Sequence, residues 1–254
     1  MQHLQEENVL RHRVRLRVDS RDVDLFQRAR PAAICAMMQE SAWRHAESLG
    51  FGYSHLARDG LFWVLSRIVV EWQGQPGWGD ELDLDTWPAG HKGAFALRDF
   101  RFSGENGVLI NATTAWLVVQ RNNRRPVRPR DVLPLPPDCG GVRALDEVPP
   151  RIPDVDGSGD TRRVAASWSD IDLNGHVNNT RYVDWMLDGF DEDFHRRHLP
   201  RRMEVNFLAE MHLGEFLELE YRETPDHAWL VAGRRPGGEP VARCRFFWDR
   251  VPLD

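Results

Sequence analysis

At 254 residues, 41% hydrophobic and 28% charged, the chain is long enough for one large or two ordinary globular domains and too apolar for disorder. A net charge of −6 excludes a general nucleic-acid binder. The longest apolar runs, such as 61–65 and 115–119, fall far short of the about 20 residues a membrane span requires, so no membrane partner is expected. The opening residues hold no apolar leader core, and Cys35, Cys139 and Cys244 form no CxxC pair. A cytoplasmic protein with reduced thiols, no metal and no cofactor is expected.

In chain order, a basic strand-like segment, Val14-Arg-Leu-Arg-Val18, leads to Asp22-Val-Asp-Leu25. A helix is predicted over 31–49, because Pro31 suits a first helical turn. Ile34, Met38, Ala42, His45 and Leu49 recur at helical period, and Gly50 follows. Alternation of Leu82 and Leu84 with Glu81, Asp83 and Asp85 predicts a strand with an acidic solvent face, and Gly104 to Gly107 a hairpin turn. Eight prolines between Pro126 and Asp160 exclude a long helix or central strand, so 126–160 reads as an inter-domain connection. Beyond it come the segment Val164-Ala-Ala-Ser-Trp168, the string Asp170-Ile-Asp-Leu173 and a helix predicted over 178–194, capped by Asn178 or Asn179. Leu217, Leu219 and Tyr221 then alternate with Glu218 and Glu220.

The flanks of the connection repeat each other. Asp22–Asp24 returns as Asp170–Asp172 at an offset of 148, Arg67, Gly79 and Leu82 return as Arg202, Gly214 and Leu217 at 135, and Trp116 returns as Trp248 at 132. Three windows in one order indicate duplication of a unit made of a strand, a long helix and several antiparallel strands. One helix against an antiparallel sheet is the hotdog layout. The expected fold is α+β, a tandem double hotdog with two long helices, each wrapped by an antiparallel sheet. The expected boundaries are 8–125 for the first unit, 126–160 for the connection and 161–254 for the second unit.

The densest polar cluster is Ser169-Asp-Ile-Asp-Leu-Asn-Gly-His-Val-Asn-Asn179. Read as an extended segment, it puts Asp172, Asn174 and His176 on one side, just before a helix N-terminus with its unpaired amides. A carboxylate, an amide and an imidazole at such a place are suited to adding water to an acyl group. The competing reading is that Asp172 and Asn178 only cap a turn. No Gly-x-Ser-x-Gly elbow, dinucleotide fingerprint, P-loop or His-Glu-x-x-His is present, and His195 and His198 lack a third metal ligand nearby.

The run Trp168-Ser-Asp-Ile-Asp-Leu-Asn-Gly-His-Val-Asn-Asn-Thr-Arg-Tyr182 resembles the signature of the acyl-acyl-carrier-protein thioesterases, plant-type and bacterial. Trp63-Val-Leu-Ser-Arg67, Trp78-Gly-Asp80, Thr86-Trp-Pro-Ala-Gly90 and Arg98-Asp-Phe100 extend the likeness over nearly the whole chain outside the connection. The resemblance implies hydrolysis of a fatty acyl thioester on an acidic acyl carrier protein, giving free fatty acid. An acyl-CoA thioesterase and a non-catalytic acyl-chain binding protein are the alternatives. It places the catalytic set on Asp172, Asn174 and His176, with a strand-borne glutamate at Glu210. Met211 stands where plant members have cysteine, which removes a thiol nucleophile and leaves water attack, with Glu210 or Asp172 as base.

The first unit keeps Asp24 in the place of Asp172 but has Phe26 for Asn174, Arg28 for His176 and Gln75 for Glu210. It is expected to supply packing and the acyl pocket, with Met37, Met38 and Trp43 near it, and the second unit the catalysis. Two arginine clusters, Arg121–Arg130 and Arg196–Arg202, are candidate docking patches for the acidic carrier. A chain that pairs its own halves is expected as a monomer or a homodimer.

Overall fold

The computed structural model describes residues 11–133, 141–155 and 160–251. Cys139, part of the proline-rich stretch and both ends of the expected domain boundaries lie outside them. The chain divides into two compact units, Met1–Pro149 and Pro150–Asp254.

The first unit runs β1 (His12–Arg17), α1 (Pro31–Ser48), α2 (Tyr53–Arg58), β2 (Leu61–Trp72), β3 (Glu81–Lys92), β4 (Phe95–Gly104), β5 (Gly107–Gln120), β6 (Pro126–Val127) and α3 (Pro129–Val132). Its strands lie in the order β1-β3-β4-β5-β2, all antiparallel, with β6 added to β5. Pro31 opens α1, and Gly50, at φ 79°, follows its end. The helix buries Ile34, Cys35, Met38, Ala42 and Ala46, while the sheet buries Leu82, Leu84, Trp87, Phe100 and Phe102.

The second unit runs β7 (Asp160–Ala165), α4 (Asn179–Leu187), α5 (Glu192–Arg197), β8 (His198–Phe207), β9 (Phe216–Glu223), β10 (Trp229–Arg234) and β11 (Pro240–Arg250). Its antiparallel order, β7-β9-β10-β11-β8, is the first unit's order element for element. Tyr182, Val183, Trp185 and Met186 of α4 are buried, as are Leu217, Leu219, Val231, Cys244 and Phe246 of the sheet. Each unit is a helix packed with an antiparallel sheet, the hotdog layout.

Two expectations are corrected. The second long helix breaks, because Asp188 ends α4 and the Asp191 side chain accepts from the Phe194 amide to start α5. Gly189 sits in the break so close to Tyr221 that a Cβ there would lie 2.1 Å from the tyrosine ring. The acidic solvent face is partly covered. Asp85 is buried and takes two bonds from Arg13 of β1, at 2.8 and 2.7 Å, and Glu220 is buried as well. The described residues 141–155 divide between the two units. Arg143 and the Ala144 amide bond to buried Asp99 at 2.9 and 2.7 Å, so this part is held on the first unit. Ile152 and Val155 pack on Leu230 and Ala232, and Asp154 pairs with Arg243 at 2.6 Å, so the next part belongs to the second.

No helix among the described residues is long and apolar enough to cross a membrane. Cys35 and Cys244 are buried thiols.

Candidate active site

The segment before α4 is a tight turn and not the extended run expected. Ile171 and Val177 bridge antiparallel, the Asp172 amide donates to the His176 carbonyl at 2.9 Å, and the Gly175 amide donates to the Asp172 carbonyl at 3.0 Å. Gly175 takes φ 80°, a left-handed conformation suited to glycine. The Asp172 carboxylate accepts from the Asn174 amide at 2.8 Å, closing an Asx turn. Local bonding of this kind outcompetes the extended backbone that would have aligned Asp172, Asn174 and His176. Asn174 is exposed, and His176 faces the neighbouring loop.

That loop joins β8 to β9 and carries Glu210. The glutamate lies beyond the end of β8, so it shares no strand face with Glu204 and Asn206. Those two are buried: Glu204 pairs with Arg202 and Arg245 at 2.8 Å each, and Asn206 bonds to the Ile152 amide at 2.9 Å. Glu210 Oε2 lies 3.2 Å from His176 Nε2, with 37% of the glutamate side chain and 22% of the histidine exposed to solvent. Of the four expected residues, Glu210 and His176 are thus in direct contact, Asp172 holds the turn, and Asn174 stands at its tip. Met211 is fully buried, and its carbonyl accepts the Val177 amide at 2.8 Å, tying loop to turn.

Arg235, which has no sequence signal, and Glu215 fix the loop. Arg235 of the turn after β10 donates to the Glu210 carbonyl and pairs with Glu215 at 3.2 Å and Glu239 at 2.8 Å. Glu215 also accepts from the His212 amide at 3.0 Å. Burial alone would push the Glu215 carboxyl up, but that amide and the arginine outweigh it and hold it below the usual range. Beneath the loop, Tyr182 of α4 is hydrogen-bonded to the Met211 backbone, and burial pushes its phenol well above its ordinary range, so it stays protonated.

The first unit repeats the backbone bonds of this turn. Asp24 accepts from the Phe26 amide at 2.8 Å, the Asp24 amide donates to the Arg28 carbonyl at 2.9 Å, and the Ala29 amide donates to Pro76 at 2.8 Å. Gln27, at φ 62°, takes the place of Gly175. The Asp turn is therefore part of the framework in both units, whereas the imidazole–carboxylate contact belongs to the second alone. Of the two arginine clusters, the second is charge-balanced: Arg196, Arg197, Arg201 and Arg202 pair with Glu192, Asp193, Asp249 and Glu204. The five arginines of 121–130 are all exposed, with Arg121 and Arg124 over the Phe62 ring at 5.9 and 5.2 Å. His195 and His198 lie within bonding distance of the Leu187 and Phe194 carbonyls. Among the described residues no group of three or more metal-binding side chains is assembled.

Comparison with known proteins agrees with the duplicated framework. Residues 9–133 match the acyl-ACP thioesterase N-terminal domain and residues 154–236 the acyl-ACP thioesterase C-terminal domain. The chain is 29% identical over 219 residues to a palmitoyl-acyl carrier protein thioesterase of Gossypium hirsutum, covering 81% of this chain and 50% of that protein. It is 27% identical over 239 residues to a dodecanoyl-acyl-carrier-protein hydrolase of Cinnamomum camphora, covering 85% and 62%. It thus spans about half to three fifths of the length of these relatives. Among solved structures, an acyl-ACP thioesterase from Bacteroides thetaiotaomicron superposes with a TM-score of 0.84 at 26% identity, covering 96% of this chain and 99% of that one. The 12:0-ACP thioesterase from Umbellularia californica shares the fold, with a TM-score of 0.85 at 23% identity over 95% and 98% of the two chains. With both of the family's domains matched in order along most of its length, the chain belongs to the acyl-ACP thioesterase family.

Proposed function

We propose that the protein hydrolyses fatty acyl-acyl-carrier-protein to free fatty acid and carrier, with its catalytic centre in the second unit. The observation that carries this reading is the contact of His176 with Glu210, present on one of two otherwise matching frameworks. A carboxylate open to solvent beside an imidazole is suited to activating water. Glu210 takes a proton from water as the oxygen adds to the thioester carbon, and His176 holds the carboxylate and the water in line. Asn174, at the tip of the turn, donates to the oxygen that becomes negative. Collapse breaks the carbon–sulfur bond, and the departing pantetheine thiolate takes the proton from Glu210. Asp172 serves as the strut of the turn and leaves the base role to Glu210. Because Met211 is buried and carries no thiol, the reaction needs no acyl-enzyme.

The first unit, with Phe26, Arg28 and Gln75 in the corresponding places, serves as scaffold and as the source of the acyl pocket. A groove of about 350 Å³ between β1 and α1 is lined by Leu16, Ala33 and Met37 together with the charged Arg17, Asp22 and Glu40. The exposed arginines of 121–130 suit an acidic carrier. Release of free thiol from a fatty acyl-carrier protein and from the matching acyl-CoA tests the reading. Faster hydrolysis of the carrier thioester supports it, preference for the CoA ester moves the substrate assignment, and no release from either overturns it.

A further inference from the structure

We propose that His212 is a positioning residue for the reaction: its ring packs edge-on against His176 and holds that imidazole with Nε2 toward Glu210. The inference rests on the functional reading above, but it stands on its own geometry. The ring centroids of His176 and His212 are 4.8 Å apart and the planes cross at 65°. His212 Nδ1 lies 3.4 Å from the carbonyl of Gly175, the residue next to His176. Its backbone amide is pinned to Glu215, and Glu215 to Arg235, which also holds the Glu210 carbonyl. One loop therefore presents Glu210 and His212 to His176.

An imidazole held at one nitrogen can still swivel about that contact. His176 is partly exposed, so its own burial does not fix the ring. A second ring against its face removes that freedom, and orientation of this kind governs rate because small displacements of a reacting group are costly. Facing a carboxylate, Nε2 is the nitrogen that carries a proton, and in the neutral ring this selects the Nε2–H tautomer.

The duplicated unit supplies an internal control. By the offset of 135, His212 corresponds to Gly77 and Glu215 to Asp80. The Gly77 amide donates to Asp80 at 2.8 Å, just as that of His212 donates to Glu215. The carbonyl of Gln27, counterpart of Gly175, accepts from the Trp78 amide at 2.9 Å. The turn thus forms with glycine at this place, and the imidazole is not needed to fold it. It occurs on the unit that also carries His176 and Glu210.

The test compares His212→Gly and His212→Phe with the parent, alone and in a His176→Ala background. His212→Gly should lower kcat about tenfold, the scale of a displaced reacting group, with KM and the thermal midpoint little changed. His212→Phe, which restores a ring at the same place, should recover most of the loss. In the His176→Ala background, His212→Gly should cost nothing further, because the two act as one unit. Imidazole nitrogen NMR supplies a readout independent of turnover. His176 should hold the Nε2–H tautomer in the parent and in His212→Phe, and become mixed in His212→Gly. Unchanged kcat in His212→Gly, a rise in KM alone, an equal loss in the His176→Ala background, or an unchanged His176 tautomer would overturn the proposal. A parent protein that hydrolyses no acyl thioester removes the functional reading, and the tautomer then decides the positioning role alone.

Discussion

Asp172 and Asp24 accept the same backbone bond at the same place in the two turns, yet one turn carries His176 and the other Arg28. A carboxylate that only supports its turn can be replaced by an amide, which still accepts through its oxygen. Asp172→Asn should therefore keep kcat within about threefold, whereas Asp172→Ala loosens the turn and should cost tenfold or more, the scale of a misplaced group. Asp24→Ala should lower the thermal midpoint and leave turnover intact. A general base at position 172 would instead be silenced by Asp172→Asn. His176→Ala should lower kcat about a hundredfold, the usual contribution of an acid–base or orienting group, measured by thiol release. The string around these residues was legible because turn, cap and polar side chains are adjacent in sequence. Its conformation was not, since alternation of polar residues fits an extended strand and an Asx turn equally, and Gly175 decided between them.

At the level of elements, the loop from Glu210 to Glu215 depends on an ion pair from a different turn. Glu215 has a lowered carboxyl pKa, so the stability it adds is complete above its ordinary value of 4.5 and is lost as pH falls through the lowered folded-state value. Thermal midpoints measured from neutral pH into acid should show Glu215→Gln below the parent at neutrality and converging with it under 4.5. A constant gap across that range would show that the pair contributes through packing alone. Arg235→Gln should lower kcat by freeing the Glu210 backbone. Neither Arg235 nor its bond to Glu210 was readable, because 25 residues separate them and no local pattern links them. His212 was readable in principle, since the same offset that relates Gly79 to Gly214 sets it against Gly77. The first long helix followed from its period and its Pro and Gly ends. The second did not, because its apolar stripe continues to Phe190 and Phe194, which stay in one aromatic cluster even though the helix breaks at Gly189.

Over the whole chain, the duplication was the strongest signal, and the matching strand orders and turn bonds are its structural counterpart. Charge distribution was legible only as clusters: each arginine of 196–202 meets a carboxylate, and in 121–130 Arg130 pairs with Asp131 at 3.5 Å. Reversal of Arg125 and Arg128 leaves the Phe62 stacking of Arg121 and Arg124 in place. It should lower kcat/KM for an acyl-carrier substrate and spare a short acyl-pantetheine thioester, with the difference shrinking in high salt. Equal losses on both substrates would place these arginines in folding or in the pocket. The most direct test of a single catalytic centre is thiol release from a fatty acyl-carrier protein by Glu210→Gln, alongside its binding of the same substrate. Turnover should fall at least about a hundredfold while binding persists, as for loss of a general base. Turnover equal to the parent would contradict the assignment of the water-activating carboxylate and of the second unit as the active one.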